Sequence, residues 1–249
     1  MNKVRYAYGV GWFALLMMCC ASVHASVLLS GTRVIFRGAD REATVRLTND
    51  GHAPALVQAW IDTGDVGKSP DQIDVPFVIT PSIFRLEAGK GQTLRIFHSG
   101  EPLPADKESL FWLNVLEVPP KPTADDERNR IQLAIRTRVK LIYRPEKLKG
   151  SAEDAPAKVT WALEADGTHT PVLTATNPTP YVVNLAGIVL EANGKRFDAG
   201  MGSVLPGQSE RFEIKGMKDA KRVDGTVDYL SVDDWGGSHA GSATIGTPR

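Results

Sequence analysis

Apolar and polar positions alternate along most of this chain with a period of two. The runs are short, and glycine, proline, asparagine and aspartate close them. Alternation predicts strands over 32–36, 43–48, 56–61, 93–97 and 109–118, with turns at Asn49-Asp50-Gly51, Ser69-Pro70-Asp71 and Ala88-Gly89-Lys90-Gly91. After a break the pattern resumes over 159–163, 172–176, 181–190, 208–214 and 226–232. No window from residue 26 onward carries a convincing 3.6-residue apolar period, so helices are not expected. Regular short strands with such turns predict an all-β sandwich architecture.

Two stretches depart from this plain rhythm. Residues 103–120 run from a charged turn, Asp106-Lys107-Glu108, into an aromatic-rich strand that stops at Pro119-Pro120. Residues 131–143 then alternate over thirteen positions, against a usual strand of about five or six. Ile131, Leu133, Ile135, Thr137, Val139, Leu141 and Tyr143 share one face; Gln132, Ala134, Arg136, Arg138, Lys140, Ile142 and Arg144 share the other. The preceding segment, 121–130, is polar and charged. Ile131, Leu133 and Ile135 are therefore expected at an exposed end, where an apolar edge recruits another chain. The same alternation is equally compatible with all seven odd-numbered side chains lying in the core.

The break falls at Arg144-Pro145-Glu146-Lys147-Leu148-Lys149-Gly150, followed by small polar residues through Pro156. It divides the chain into expected sandwiches at 26–148 and 149–249, each within the ordinary size of a domain. The first 25 residues read as an export signal: Lys3 and Arg5, a short apolar run, and Val23-His24-Ala25 before the cleavage point. The glycine-, serine- and threonine-rich tail from Gly236 is expected to be mobile.

Composition narrows the chemistry. Of 249 residues, 42% are hydrophobic and 23% charged, with 29 basic and 29 acidic side chains, a globular profile without the basic excess of a nucleic-acid binder. Loss of Lys3 and Arg5 with the signal leaves 27 basic against 29 acidic groups, a net charge of −2. Cys19 and Cys20 leave too, excluding a disulfide, a cysteine-ligated metal and a cysteine nucleophile from the exported protein. No other segment is apolar enough for membrane insertion after cleavage. His52, His98, His169 and His239 are isolated and read as surface or turn residues, outside any metal-ligand spacing. Gly89-Lys90-Gly91 and Gly200-Met201-Gly202 lack the third glycine and the helix of a phosphate-binding loop and read as turns. Asp233 and Asp234, as strand neighbours, would point to opposite faces. No catalytic residue, metal site or cofactor is expected.

The stretch 103–120 resembles the signature of the periplasmic pilus-assembly chaperones, the PapD-like family. Further resemblance runs through Gly31-Thr32-Arg33-Val34-Ile35-Phe36, Gln58-Ala59-Trp60-Ile61, Thr80-Pro81, Phe84-Arg85-Leu86, Lys140-Leu141-Ile142-Tyr143-Arg144-Pro145, Asn177-Pro178-Thr179-Pro180-Tyr181 and Asp234-Trp235-Gly236-Gly237. It implies two immunoglobulin-like β-sandwich domains set at an angle. It also implies a function: capture of pilin subunits that lack their last strand, by donor-strand complementation, and delivery to an outer-membrane usher, without ATP or metal. Ile131, Leu133 and Ile135 would fill the subunit groove. Arg33 and Lys140 would hold the subunit's C-terminal carboxylate. Glu108, Arg144 and Asp234 would form a charged trio between the domains. The short 121–130 loop is similar to the short-loop branch. Self-association of the free protein stays open. The rival expectations are a chaperone-like structural or surface module without pilin binding, and an exported enzyme on a β-sandwich, for which no catalytic constellation speaks.

Overall fold

The computed structural model describes residues 26–121, 132–165, 171–217 and 225–246. The expected signal with its cysteines, His169, Ile131 and residues 122–130 of the expected loop lie outside the described residues. Nine strands form the first sandwich: β1 (Val27–Leu29), β2 (Arg33–Arg37), β3 (Ala43–Asn49), β4 (Ala55–Asp62), β5 (Phe77–Thr80), β6 (Ile83–Leu86), β7 (Gly91–His98), β8 (Ser109–Val118) and β9 (Ile135–Arg144). One sheet is ordered β1-β3-β7-β5 and the other β2-β9-β8-β4-β6. Their inner faces meet through Leu47, Leu94 and Ile96 on one side and Val57, Leu113, Val115 and Leu141 on the other.

The second sandwich contains β10 (Thr160–Ala165), β11 (Pro171–Thr176), β12 (Val183–Ala192), β13 (Lys195–Val204), β14 (Ser209–Glu213), β15 (Gly225–Val232) and β16 (Ser238–Gly246). They hydrogen-bond in the order β13-β12-β15-β16-β10-β11-β14 around a core that includes Trp161, Leu173, Ile188, Leu190, Phe212 and Val227. The helical elements among the described residues are two short 3₁₀ turns, Pro70–Gln72 and Pro156–Lys158.

Several expectations are corrected here. The tail from Gly236 is not loose: β16 pairs with β15 from Ser238 opposite Val232 to Thr244 opposite Thr226. Ladder pairing overrides the weak strand preference of its Ser, Ala and Gly residues. Gly200-Met201-Gly202 is not a turn between strands but the interior of β13, where the β12–β13 register shifts. Gly200 has a φ of 81° there, a conformation that glycine adopts without a Cβ penalty. Asp233 and Asp234 lie in the turn after β15, not on a strand. His98 is not a plain surface residue; its ring stacks on Tyr143 at 5.3 Å and meets Phe77 edge-on.

The long alternating strand is also revised. Ladder pairing among the described residues begins at Ile135, so β9 is ten residues long. Gln132, Leu133 and Ala134 precede it and are exposed. Parity holds within β9: Val139 and Leu141 enter the core. Arg136, Arg138, Lys140 and Ile142 occupy the opposite face. Ile142 is only 2% exposed yet belongs to neither core cluster, consistent with cover from the second sandwich, where its neighbours Lys140 and Arg144 make their contacts.

Candidate functional site

The pairing of β9 is unequal along its length. On one side it pairs with β8 throughout, from Ile135 opposite Glu117 to Tyr143 opposite Ser109. On the other it pairs with β2, in parallel, only from Lys140 opposite Arg33 to Arg144 opposite Arg37. Among the described residues, the edge from Ile135 to Val139 therefore has no neighbouring strand. Exposed backbone of this kind is a template for pairing with another chain. Leu133, just before it, is 64% exposed, and Ile135 is half-buried.

Arg33 and Lys140 sit side by side where the open edge ends. The Lys140 ammonium donates to Asn184 Oδ1 at 2.6 Å and to the Ser203 hydroxyl, both on the second sandwich. Burial, together with the neighbouring Arg33 guanidinium, pulls Lys140 down to about 8. Arg33 Nη1 donates to the Val232 carbonyl at 3.1 Å, while its Nε is buried without a partner. Burial also lowers Arg33, against the opposing pull of Asp233 and Asp234. Among the described residues neither cation forms a salt bridge. Two partly desolvated, adjacent cations at the end of a strand edge have the charge to pair with an anion.

The two cations on the open half of β9, Arg136 and Arg138, are already engaged. Asp62, at the end of β4 and 2% exposed, accepts from Arg138, from Arg136 Nη2 at 3.3 Å, from Asn114 Nδ2 at 2.8 Å and from the Gly64 N–H at 2.7 Å. Arg136 lies 4.8 Å from the Trp60 ring centroid and Arg138 4.4 Å from that of Trp112. Burial opposes ionisation of Asp62, but the bonds from Arg138, Gly64 and Asn114 outweigh it and hold the carboxyl below its ordinary range. Sequence reasoning missed this cluster. Its visible trace was the i, i+2, i+4 spacing of Arg136, Arg138 and Lys140; its acidic partner lies more than seventy residues away.

Glu108, Arg144 and Asp234 are brought together. Arg144 Nε donates to Glu108 Oε1, and its two terminal nitrogens donate to Asp234 at 2.6 and 2.8 Å. Glu108 Oε2 accepts the Val182 N–H at 2.6 Å, and the Glu108 N–H donates to the Pro180 carbonyl at 2.9 Å. One residue before β8 is thus bonded twice to the backbone of the second sandwich. Burial pushes the Glu108 carboxyl up, with Arg144 and the Val182 N–H opposing. Burial would lower Arg144, but its bonds to Asp234 and Glu108 prevail and raise it.

Residues 26–149 match the family model for the PapD N-terminal domain of pili and flagellar-assembly chaperones, and residues 154–243 match the model for the C-terminal domain of the pili assembly chaperone PapD. The chain is 44% identical over 228 residues to the chaperone protein FimB/FhaD of Bordetella pertussis, covering 90% of each. The crystal structure of the YadV chaperone superposes with a TM-score of 0.76 at 38% identity, covering 89% of this chain and 100% of that one. A chain from the complex of Salmonella enterica SafA pilin with the SafB chaperone superposes with a TM-score of 0.74 at 30% identity, over 90% of this chain and 99% of that one. With both family models matched across almost the whole of the described chain, and a relative this similar over nine-tenths of its length, this protein belongs to the PapD family of pilus-assembly chaperones.

Proposed function

We propose that this chain is a periplasmic chaperone that captures pilin subunits by lending them a strand, assists their folding, blocks premature polymerisation and passes them to an outer-membrane usher. The observation that carries the reading is the open edge from Ile135 to Val139, flanked by exposed Leu133 and ending at Arg33 and Lys140. A subunit whose sandwich lacks one strand presents an apolar groove and an edge of its own. Main-chain bonds to β9 supply affinity, and alternate side chains supply fit. Burying exposed Leu133 contributes roughly 1.5–3 kcal/mol, and half-buried Ile135 less; Ile131, outside the described residues, would by parity belong to the same face of the donor strand.

Arg33 and Lys140 hold the subunit's C-terminal carboxylate, which needs paired cations once it leaves water. That position fixes direction as well as register. A strand whose last residue sits at Lys140 and whose body lies along Ile135–Val139 runs parallel to β9. A one-residue slip would turn its apolar side chains away. The trio Glu108, Arg144 and Asp234 sets the angle between the sandwiches and thereby the shape of the cleft. The proposed division is a signal at 1–25 and domains at 26–148 and 149–249, the protein acting without catalysis or cofactor.

The test is co-expression of Leu133→Asp with a pilin subunit. Pull-down of the subunit should be lost while β-sheet circular dichroism is unchanged. Full recovery of the subunit would remove strand lending from the account.

A further inference from the structure

We infer that Asp62 is a positioning residue for subunit capture: with Asn114 it clamps Arg136 and Arg138 onto the outer face of the first sandwich and holds the unpaired half of β9 ready to receive a strand. The inference deepens the proposed function and rests on it. What points to it is the distribution of the cations around this carboxylate. Both guanidiniums that reach Asp62 come from the open half of β9, at positions 136 and 138. Neither comes from the half that β2 already secures.

An open edge poses a mechanical problem. Between Ile135 and Val139 the backbone of β9 is held on the β8 side only, and strands bonded on one side fray and twist more easily. Desolvating a carboxylate is costly unless donors saturate it; Asn114 and the Gly64 N–H supply two neutral donors, and Asp62 gains its charged donors only when Arg136 and Arg138 lie down across the sheet. The indole faces of Trp60 and Trp112 supply the flat bed on which they lie. Arg136 is further tied by Nε to Asn114 Oδ1 at 2.9 Å and by Nη1 to the Val66 carbonyl at 3.0 Å. Pinning the even-numbered side chains to this face turns Ile135 and its odd-numbered neighbours to the other, because alternation leaves no choice. The clamp thus replaces the missing neighbour strand in the free protein without occupying the edge. It also engages two of the three successive cations of β9, leaving Lys140 with Arg33 for the carboxylate.

Hydrogen–deuterium exchange of the free protein provides the first readout, and association with a purified pilin subunit bearing its native C-terminus the second. In Asp62→Asn, those amides of Ile135–Val139 that bond to β8 should exchange roughly tenfold to hundredfold faster, the range expected on losing a charge-assisted bond. Amides of β3 and β7 should be unchanged, and subunit association should slow by about tenfold. Arg138→Met should reproduce the effect, and the double variant should be no worse than either single one. Should Asp62→Asn fail to fold, Arg138→Met alone carries the test. Unchanged exchange at Ile135–Val139, a uniform rise across both sheets, or additive effects in the double variant would overturn the clamp. Failure of the unaltered protein to capture the subunit would instead overturn the proposed function, leaving the exchange result to stand on its own.

Discussion

Replacing Arg144 with alanine tests the domain junction where its chemistry is most demanding. The Glu108 side chain is 1% exposed, that of Arg144 19% and that of Asp234 23%. In Arg144→Ala the Glu108 carboxylate keeps the Val182 N–H as a donor but loses its only cation among the described residues. Breaking a buried pair from one side costs about 3–5 kcal/mol, because a desolvated charge is left uncompensated. Asp234 retains access to water and adds little, ~0–1 kcal/mol. A loss of about 3–4 kcal/mol is therefore expected at pH 7. The sign of the pH dependence follows from Glu108. Its carboxyl already lies above the ordinary value because of burial, and Arg144 opposes that rise. Without Arg144 it moves higher still. A carboxyl raised in the folded state favours folding at low pH and loses that contribution as pH rises through its folded-state value. The deficit of Arg144→Ala should shrink when urea unfolding is repeated near pH 5. Arg144→Met combined with Glu108→Gln should recover most of the loss, since neither charge remains buried. A loss under about 1 kcal/mol at pH 7, or a double variant as poor as the sum of the single ones, would refute a cooperative buried trio.

Lys140→Ala should sharply weaken subunit capture, measured by pull-down or surface plasmon resonance; unchanged affinity would remove the carboxylate anchor. Lys140 titrates at about 8 in the fold against an ordinary 10.5, so only its charged form, dominant below about 8, can hold a carboxylate. Capture should weaken above that pH by up to about tenfold per unit, and Lys140→Met should remove the dependence. The same lowered value means that the charged form destabilises the free fold below about pH 8, a penalty relieved as pH rises toward 10.5. Lys140→Met should therefore leave thermal stability at pH 7 equal or higher, and a marked fall in melting temperature would contradict the burial argument. Truncation after Gly237 removes β16, the partner of β15 along Thr226–Val232, and should abolish near-ultraviolet circular dichroism from Trp161; a native spectrum would show that the tail is dispensable.

Much of this architecture was legible because local signals agreed. Strand β8 runs from Ser109 to Val118 as alternation predicted, bounded by a charged turn and by Pro119-Pro120. What stayed hidden was set by distant partners. β5 and β6 are four residues each, on either side of Thr80-Pro81, too short for a period to declare itself. β16 is built from residues with weak strand preference and is fixed by β15. The end of the open edge depends on where β2, about a hundred residues earlier, begins to pair. Arg33 and Lys140 could be singled out only through family resemblance, because an isolated cation looks like solvated surface. Asp62 carried no signal of its own. Its role depends on two arginines that reach it across β8.

A single thiol at position 133 tests the strand edge most directly, since the only cysteines, Cys19 and Cys20, fall within the expected signal. In Leu133→Cys the thiol should react freely with a maleimide in the isolated protein, as the 64% exposure of Leu133 requires. Once a pilin subunit is bound it should become protected, while a control thiol from Met201→Cys on the second sandwich, where Met201 is 73% exposed, keeps reacting. Equal reactivity at position 133 with and without bound subunit would contradict the claim that this edge is what the subunit closes upon.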